Sequence, residues 1–86
     1  MFEIGFHDRA LKFYQELDVQ TTRRINEAIE ELRSNPFLGK DIKKLRGILK
    51  GKYRLRVGEL RMVYRVEKKD SLVIVESIGH RGAIYR

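Results

Sequence analysis

The chain has no cysteine, which excludes a disulfide framework and any thiolate-bound metal. Its only histidines, His7 and His80, stand far apart with no acidic pair beside them. No metal-ligand spacing is therefore present, and neither metal nor cofactor is expected. No apolar run is long enough to cross a bilayer, and no signal peptide or lipidation motif is seen. The expectation is a soluble cytoplasmic protein with no membrane partner. Linkers, internal repeats and low-complexity segments are also missing. With 86 residues, 42% of them apolar, there is room for one core only, so 1–86 reads as a single domain. Acid is scarce in one part of the chain. Residues 1–33 hold five Lys/Arg against seven Asp/Glu, net −2, whereas residues 34–86 hold fourteen against five, net +9. Segregated basic charge is the footprint of a nucleic-acid binder or of a protein with an acidic partner.

The basic part is organised around residues 52–66. Tyr53, Leu55 and Val57 alternate with Lys52, Arg54 and Arg56, the signature of a half-buried strand. Gly58-Glu59 supplies a turn with glycine at the first central position, which suits a type II′ hairpin. The register then follows: Val57 faces Leu60, Leu55 faces Met62, Tyr53 faces Tyr64, Arg56 faces Arg61, Arg54 faces Val63 and Lys52 faces Arg65. One face is apolar. The other carries Lys52, Arg54, Arg56, Arg61 and Arg65. Like charges directly opposite each other destabilise a sheet, and Arg56 opposite Arg61 is such a pair. A solvated face usually mixes signs, and here the single acid is Glu59 in the turn. The pattern points to a surface that receives several phosphates or carboxylates, since the guanidinium fork binds oxyanions in a bidentate way.

Before this hairpin, Phe2, Ile4 and Phe6 alternate as a short first strand. Leu11, Tyr14 and Leu17 then mark a helical stripe, with Ala10 and Phe13 close to it and Asp8 as candidate N-cap. Ile25, Ala28, Ile29 and Leu32 mark a second, longer helix over about 19–33, with Asp18 as candidate N-cap. Pro36, the one proline, ends it. The tight join at Leu17-Asp18 suggests an antiparallel helical hairpin. Residues 37–51 form a basic connection; a strand or an extended loop fits residues 44–49 equally. Residues 72–78 read as a final strand. Pairing Val66 with Leu72 places Ile74 and Ile78 on the apolar face, and Val73, Val75, Ser77 and a following Arg81 on the basic face. Glu76 then falls on the helix-covered side, unless a bulge or partial exposure at the sheet's end intervenes. The fold class is α+β: an N-terminal strand, a helical hairpin, then an antiparallel sheet with the helices on its apolar face.

The element order, Lys44-Leu45-Arg46-Gly47, the hairpin segments 53–58 and 60–64, and Ile78-Gly79-His80-Arg81 followed by Tyr85 together resemble the RelE/ParE superfamily of toxins, on its RelE side. The resemblance spans nearly the whole chain. It implies a RelE-like microbial ribonuclease-type fold, a toxin of a type II toxin–antitoxin system, and metal-independent cleavage of messenger RNA in the ribosomal A site. It further implies an acidic, RelB-like cognate antitoxin. By the same resemblance Arg54, Arg56, Arg61, Arg81 and Tyr85 are the catalytic positions; Lys44, Arg46, Lys52, Arg65 and His80 are expected to bind RNA. The best-studied branch has lysines where this chain has Arg54 and Arg56; arginine effectively never loses its proton, so a lysine-base scheme does not transfer. Tyr85 is either a proton-transfer group among guanidiniums or an aromatic that stacks on a base or pins the tail. His80 has a suitable intrinsic pKa but alternation puts it on the side away from Arg81. Two alternatives stand beside the ribonuclease: a ParE-like toxin acting on DNA gyrase, and a basic sheet that holds RNA or an acidic protein without catalysis.

Overall fold

A computed structural model describes residues 1–80. Its elements run β1 (Glu3–Phe6), α1 (Asp8–Gln15), α2 (Val19–Ser34), β2 (Ile42–Lys44), β3 (Tyr53–Val57), β4 (Leu60–Glu67) and β5 (Leu72–His80). The strands form one sheet in the order β1-β5-β4-β3-β2. Four of them pair antiparallel as expected, but β1 joins β5 in parallel, so the sheet is mixed. The helical hairpin between β1 and the later strands is the crossover such a parallel neighbour requires.

Both helices begin as the sequence suggests, with differences at the caps. In α1 the N-cap is His7 rather than Asp8, and the His7 Nδ1 accepts from the Arg9 backbone N–H at 3.3 Å. Asp18 holds the N-cap place of α2 without a side-chain bond. The inward stripe of α1 is Ala10, Phe13 and Tyr14, with Leu17 following; Leu11 points out and is 39% exposed. The Tyr14 hydroxyl donates to Asn26 Oδ1 at 2.6 Å and ties the two helices together. Asn35 ends α2 in extended geometry, as a residue before proline must. The connection contains both a short strand, β2, and a 3-10 turn at Gly47–Leu49.

The core lies between the helices and one sheet face. Ala10, Ile25, Ala28 and Leu32 meet Leu55, Leu60, Met62, Tyr64, Val73, Val75 and Ile78. Tyr53 and Tyr64 stack with ring centroids 5.6 Å apart, the cross-strand pair the register implies. The Tyr64 hydroxyl, wholly buried, donates to the Pro36 carbonyl at 2.7 Å, and burial pushes its pKa up.

The β3–β4 register is the expected one at all five observed pairs, from Tyr53↔Tyr64 to Val57↔Leu60. Gly58 turns with φ +60° while Glu59 stays at negative φ, consistent with the type II′ hairpin. The β4–β5 register differs. Glu67, not Val66, faces Leu72, so Val66↔Val73 and Tyr64↔Val75 face the core and Ile74 pairs with Arg65 on the opposite face. A bulge then breaks the pairing: Tyr64 faces Val75 but Val63 faces Ser77, leaving Glu76 as the extra residue. Beyond it Ile78 returns to the core opposite Met62. Val73 and Val75 are therefore core residues, and Glu76 leaves the helix-covered side.

Candidate functional site

Alternation in β3 and β4 puts Lys52, Arg54, Arg56, Arg61 and Arg65 on the sheet face away from the core cluster. Val63, opposite Arg54, gives that face a buried apolar floor. Glu76, following the inward Val75, lies on the same face, where it is 15% exposed and takes Lys52 Nζ at 2.6 Å on one oxygen and Arg65 Nε at 3.0 Å on the other. Arg65 also pairs with Glu67. Burial alone would raise the Glu76 pKa, but the hydrogen bonds and charges of Lys52 and Arg65 outweigh it and hold the carboxyl below its ordinary value.

The cationic face is thus divided along the strands. Away from the hairpin turn, Lys52 and Arg65 are neutralised. Toward the hairpin turn, Arg56 is held by Asp41 at 3.3 Å in an exposed contact. Arg54 and Arg61 have no ion pair among the described residues, and the Arg54 Nε is buried without a hydrogen-bond partner among them. A shallow hollow of about 380 Å³ at the hairpin end is lined by Arg56, Gly58, Glu59, Arg61 and His80. His80 pairs with Leu60, and its ring packs edge-on to Phe13 with centroids 6.2 Å apart. It stands at the rim where the helix side meets this hollow.

Lys44 and Arg46 are elsewhere. They line a groove of about 990 Å³ with Lys43, Lys50 and Lys68, beside Phe37 and Tyr53. Lys44 pairs with Tyr53, four residues along β3 from Val57, so the groove sits about 13 Å along the strand from the hairpin turn. Of the ten candidate residues, then, Arg54, Arg56, Arg61 and His80 share one end of the sheet. Lys52 and Arg65 form a neutralised pair further along, with Lys52 at the edge of the groove that Lys44 and Arg46 line. Arg81 and Tyr85 lie outside the described residues. The acids paired on the face, Asp41, Glu67 and Glu76, carry no distinguishing sequence signal; only Glu76, awkward under the register expected from Val66 opposite Leu72, hinted at its role.

Among the described residues no His/Cys/Asp/Glu group suited to a metal ion occurs, and no helix is long and apolar enough to cross a membrane. The face offers fixed cations and one rim imidazole. Such a set can seat phosphate oxygens and stabilise added negative charge on them.

The family described as "ParE toxin of type II toxin-antitoxin system, parDE" matches residues 4–85 of the chain. A Methanocaldococcus jannaschii protein named as a candidate RelE1 toxin is 33% identical over 87 residues, covering 99% of this chain and 96% of that protein. The fold is similar to RelE in the archaeal RelE–RelB complex of Pyrococcus horikoshii, with TM-score 0.81 at 29% identity over 95% of this chain and 97% of that one. It is equally similar to isolated Escherichia coli RelE, with TM-score 0.80 at 26% identity over 99% and 92%.

Proposed function

From the premise that the chain belongs to the ParE toxin family of type II toxin–antitoxin systems and is RelE-like in sequence and fold, we propose that it is an endoribonuclease toxin cutting messenger RNA in the ribosomal A site. The observation that carries this reading is the gathering of Arg54, Arg56 and Arg61 on the sheet face opposite the helices, with Arg54 and Arg61 free of carboxylates among the described residues. In the proposed reaction the substrate's own 2′-hydroxyl attacks the adjacent phosphorus. A cyclic phosphate forms as the 5′-oxygen of the next nucleotide leaves with a proton. No metal is required. The protein holds the attack in line and stabilises charge on the phosphorane, and these two effects supply most of the acceleration in such chemistry.

Arg61 and Arg81 are assigned to the non-bridging oxygens, and Arg54 and Arg56 to the same charge or to flanking phosphates. Tyr85 and His80 are the candidates for proton transfer, and a ribosome that pre-aligns the message supplies what two such groups lack. Lys44 and Arg46 hold RNA further along the sheet. The partner that silences the toxin is an acidic antitoxin, a reading supported by the RelB bound to RelE in the Pyrococcus horikoshii complex and by the +9 charge of residues 34–86.

The family description favours a second reading, a ParE-like action on DNA gyrase. Mapping RNA ends by primer extension in cells expressing the toxin separates the two. New ends inside translated messages, lost in Arg61→Ala, support the ribonuclease. Intact messages with blocked gyrase supercoiling support the alternative.

A further inference from the structure

We propose that Glu76 is a built-in stand-in for a phosphate: it fills the anion seat between Lys52 and Arg65 and so keeps RNA phosphates off that seat, leaving the Arg54–Arg61 end of this face to receive them. The inference deepens the ribonuclease reading and rests on it.

Glu76 reaches this place through the register: Val75 faces the core opposite Tyr64, so the next residue points to the other face. The bulge that follows puts Ser77 opposite Val63 on that face as well and returns Ile78 to the core. From the helix side, Arg9 Nε donates to the Glu76 carbonyl at 2.8 Å and fastens the bulge in that direction. On the other side, the carboxylate meets one ammonium at 2.6 Å and one guanidinium at 3.0 Å, one on each oxygen. Two cations from neighbouring strands converging on two oxygens of a single anion is the arrangement a backbone phosphate would receive. Here the seat is taken from within the chain.

The consequence concerns where RNA sits. Lys52, Arg54 and Arg56 are successive same-face residues of one strand segment, so without an internal anion all three, with Arg61 and Arg65, would form a continuous cationic strip. A strip of that kind binds RNA in several registers along the sheet. With Glu76 in place, the strip is broken beside Arg54. The cations left for phosphate lie toward Arg61, where the scissile group is wanted. Glu76 is therefore a specificity-determining residue that trades affinity for register.

The test is the salt dependence of binding to an uncleavable 2′-O-methyl RNA 12-mer, measured by fluorescence anisotropy. For single strands the slope of log K against log salt changes by about 0.7 for each phosphate neutralised. Glu76→Gln frees Lys52, while Arg65 keeps Glu67, and should bind more tightly, with a slope steeper by about 0.7. Lys52→Gln/Glu76→Gln removes the freed cation and leaves Arg65 with Glu67, so its slope should return to that of wild type. Glu30→Gln makes the same change in net charge on the exposed surface of α2 and should leave the slope where it was. Equal slopes for Glu76→Gln and Glu30→Gln would overturn the proposal, as would melting curves showing that both Glu76 variants fail to fold, since Glu76 would then be a structural ion-pair residue. Wild-type protein that shows no salt-dependent binding at all would instead remove the ribonuclease reading on which the proposal rests.

Discussion

Three arginines at one end of a sheet differ in what already holds them, and that decides what each can do. Arg56 spends part of its charge on Asp41 across an exposed 3.3 Å contact, worth little in water. Arg61 and Arg54 have no such partner among the described residues. Arg61→Ala should therefore lower cleavage by about 100- to 1000-fold, the usual loss for one charged donor at a developing oxyanion, with the melting temperature unchanged. Arg56→Ala should cost less. Single-turnover cleavage on programmed ribosomes measures both.

Two further residues report on the framework. Tyr64→Phe removes a buried hydrogen bond to the Pro36 carbonyl and should destabilise by about 1 to 3 kcal/mol, because the carbonyl is left unpaired; chemical denaturation reads this directly. Glu76 has a lowered pKa in the fold, so its contribution to stability is present above the unfolded value of about 4.3 and is lost as pH falls through the lower folded value. The melting-temperature gap between wild type and Glu76→Gln should accordingly close as the solution is acidified below that range. A gap that stays constant would mean the carboxylate's charge contributes nothing to folding.

At the scale of elements, the hairpin was legible because every cue agrees. Strict alternation on both sides of a two-residue turn leaves one register that keeps Leu55 and Met62 on the same face, and a slip by one would expose both. The turn itself makes a prediction. Gly58 sits at φ +60°, and a Cβ there would meet only the end of the Arg24 side chain at 3.8 Å. The cost of Gly58→Ala is thus conformational rather than steric, about 1 to 2 kcal/mol. For a domain of this size it should lower the melting temperature by roughly 4–8 °C per kcal/mol.

The last strand was not legible in the same way. A bulge changes the period of two in mid-strand, and nothing in the run Leu72 to Ile78 marks where. Only the acid at Glu76 announced a conflict, and the bulge resolves it at the centre of the sheet rather than at its end. The parallel pairing of β1 was hidden for a different reason: it is a contact between chain ends, fixed by the crossover through the helices rather than by any local pattern. In α1, an eight-residue helix offers barely two turns of periodicity. Leu11 and Ala10 competed for the inward stripe, and the smaller residue won where the helix presses against β5.

Among the described residues the positive charge of the sheet and its connection falls into two groups, with the Lys52–Glu76–Arg65 cluster beside the second. The hairpin end carries the candidate scissile-phosphate seat. The groove with Lys43, Lys44, Arg46, Lys50 and Lys68 lies at the other end. Its aromatic rings are occupied, since Phe37 is under Lys68 and edge-on to Tyr53, which stacks on Tyr64. The groove is thus suited to phosphates rather than to stacking bases. Lys44→Ala/Arg46→Ala should weaken RNA binding across sequences alike and flatten its salt slope by about 1.4, while changing the single-turnover rate on saturated ribosomes much less than Arg61→Ala does.

The charge division in the sequence, −2 before residue 34 and +9 after it, anticipated the existence of this surface. It could not anticipate its partition, because that depends on Asp41 just before β2, Glu67 at the end of β4 and Glu76 in β5.

The most direct test of the account is a primer-extension map of RNA ends, made with wild-type protein and with Arg61→Ala, in the presence and absence of ribosomes. The account predicts discrete new ends within the reading frame when ribosomes are translating, few without them, and a drop of about 100-fold or more in the variant. Ends of equal intensity in wild type and variant, or no ends at all under conditions where the wild-type protein stops growth, would contradict it.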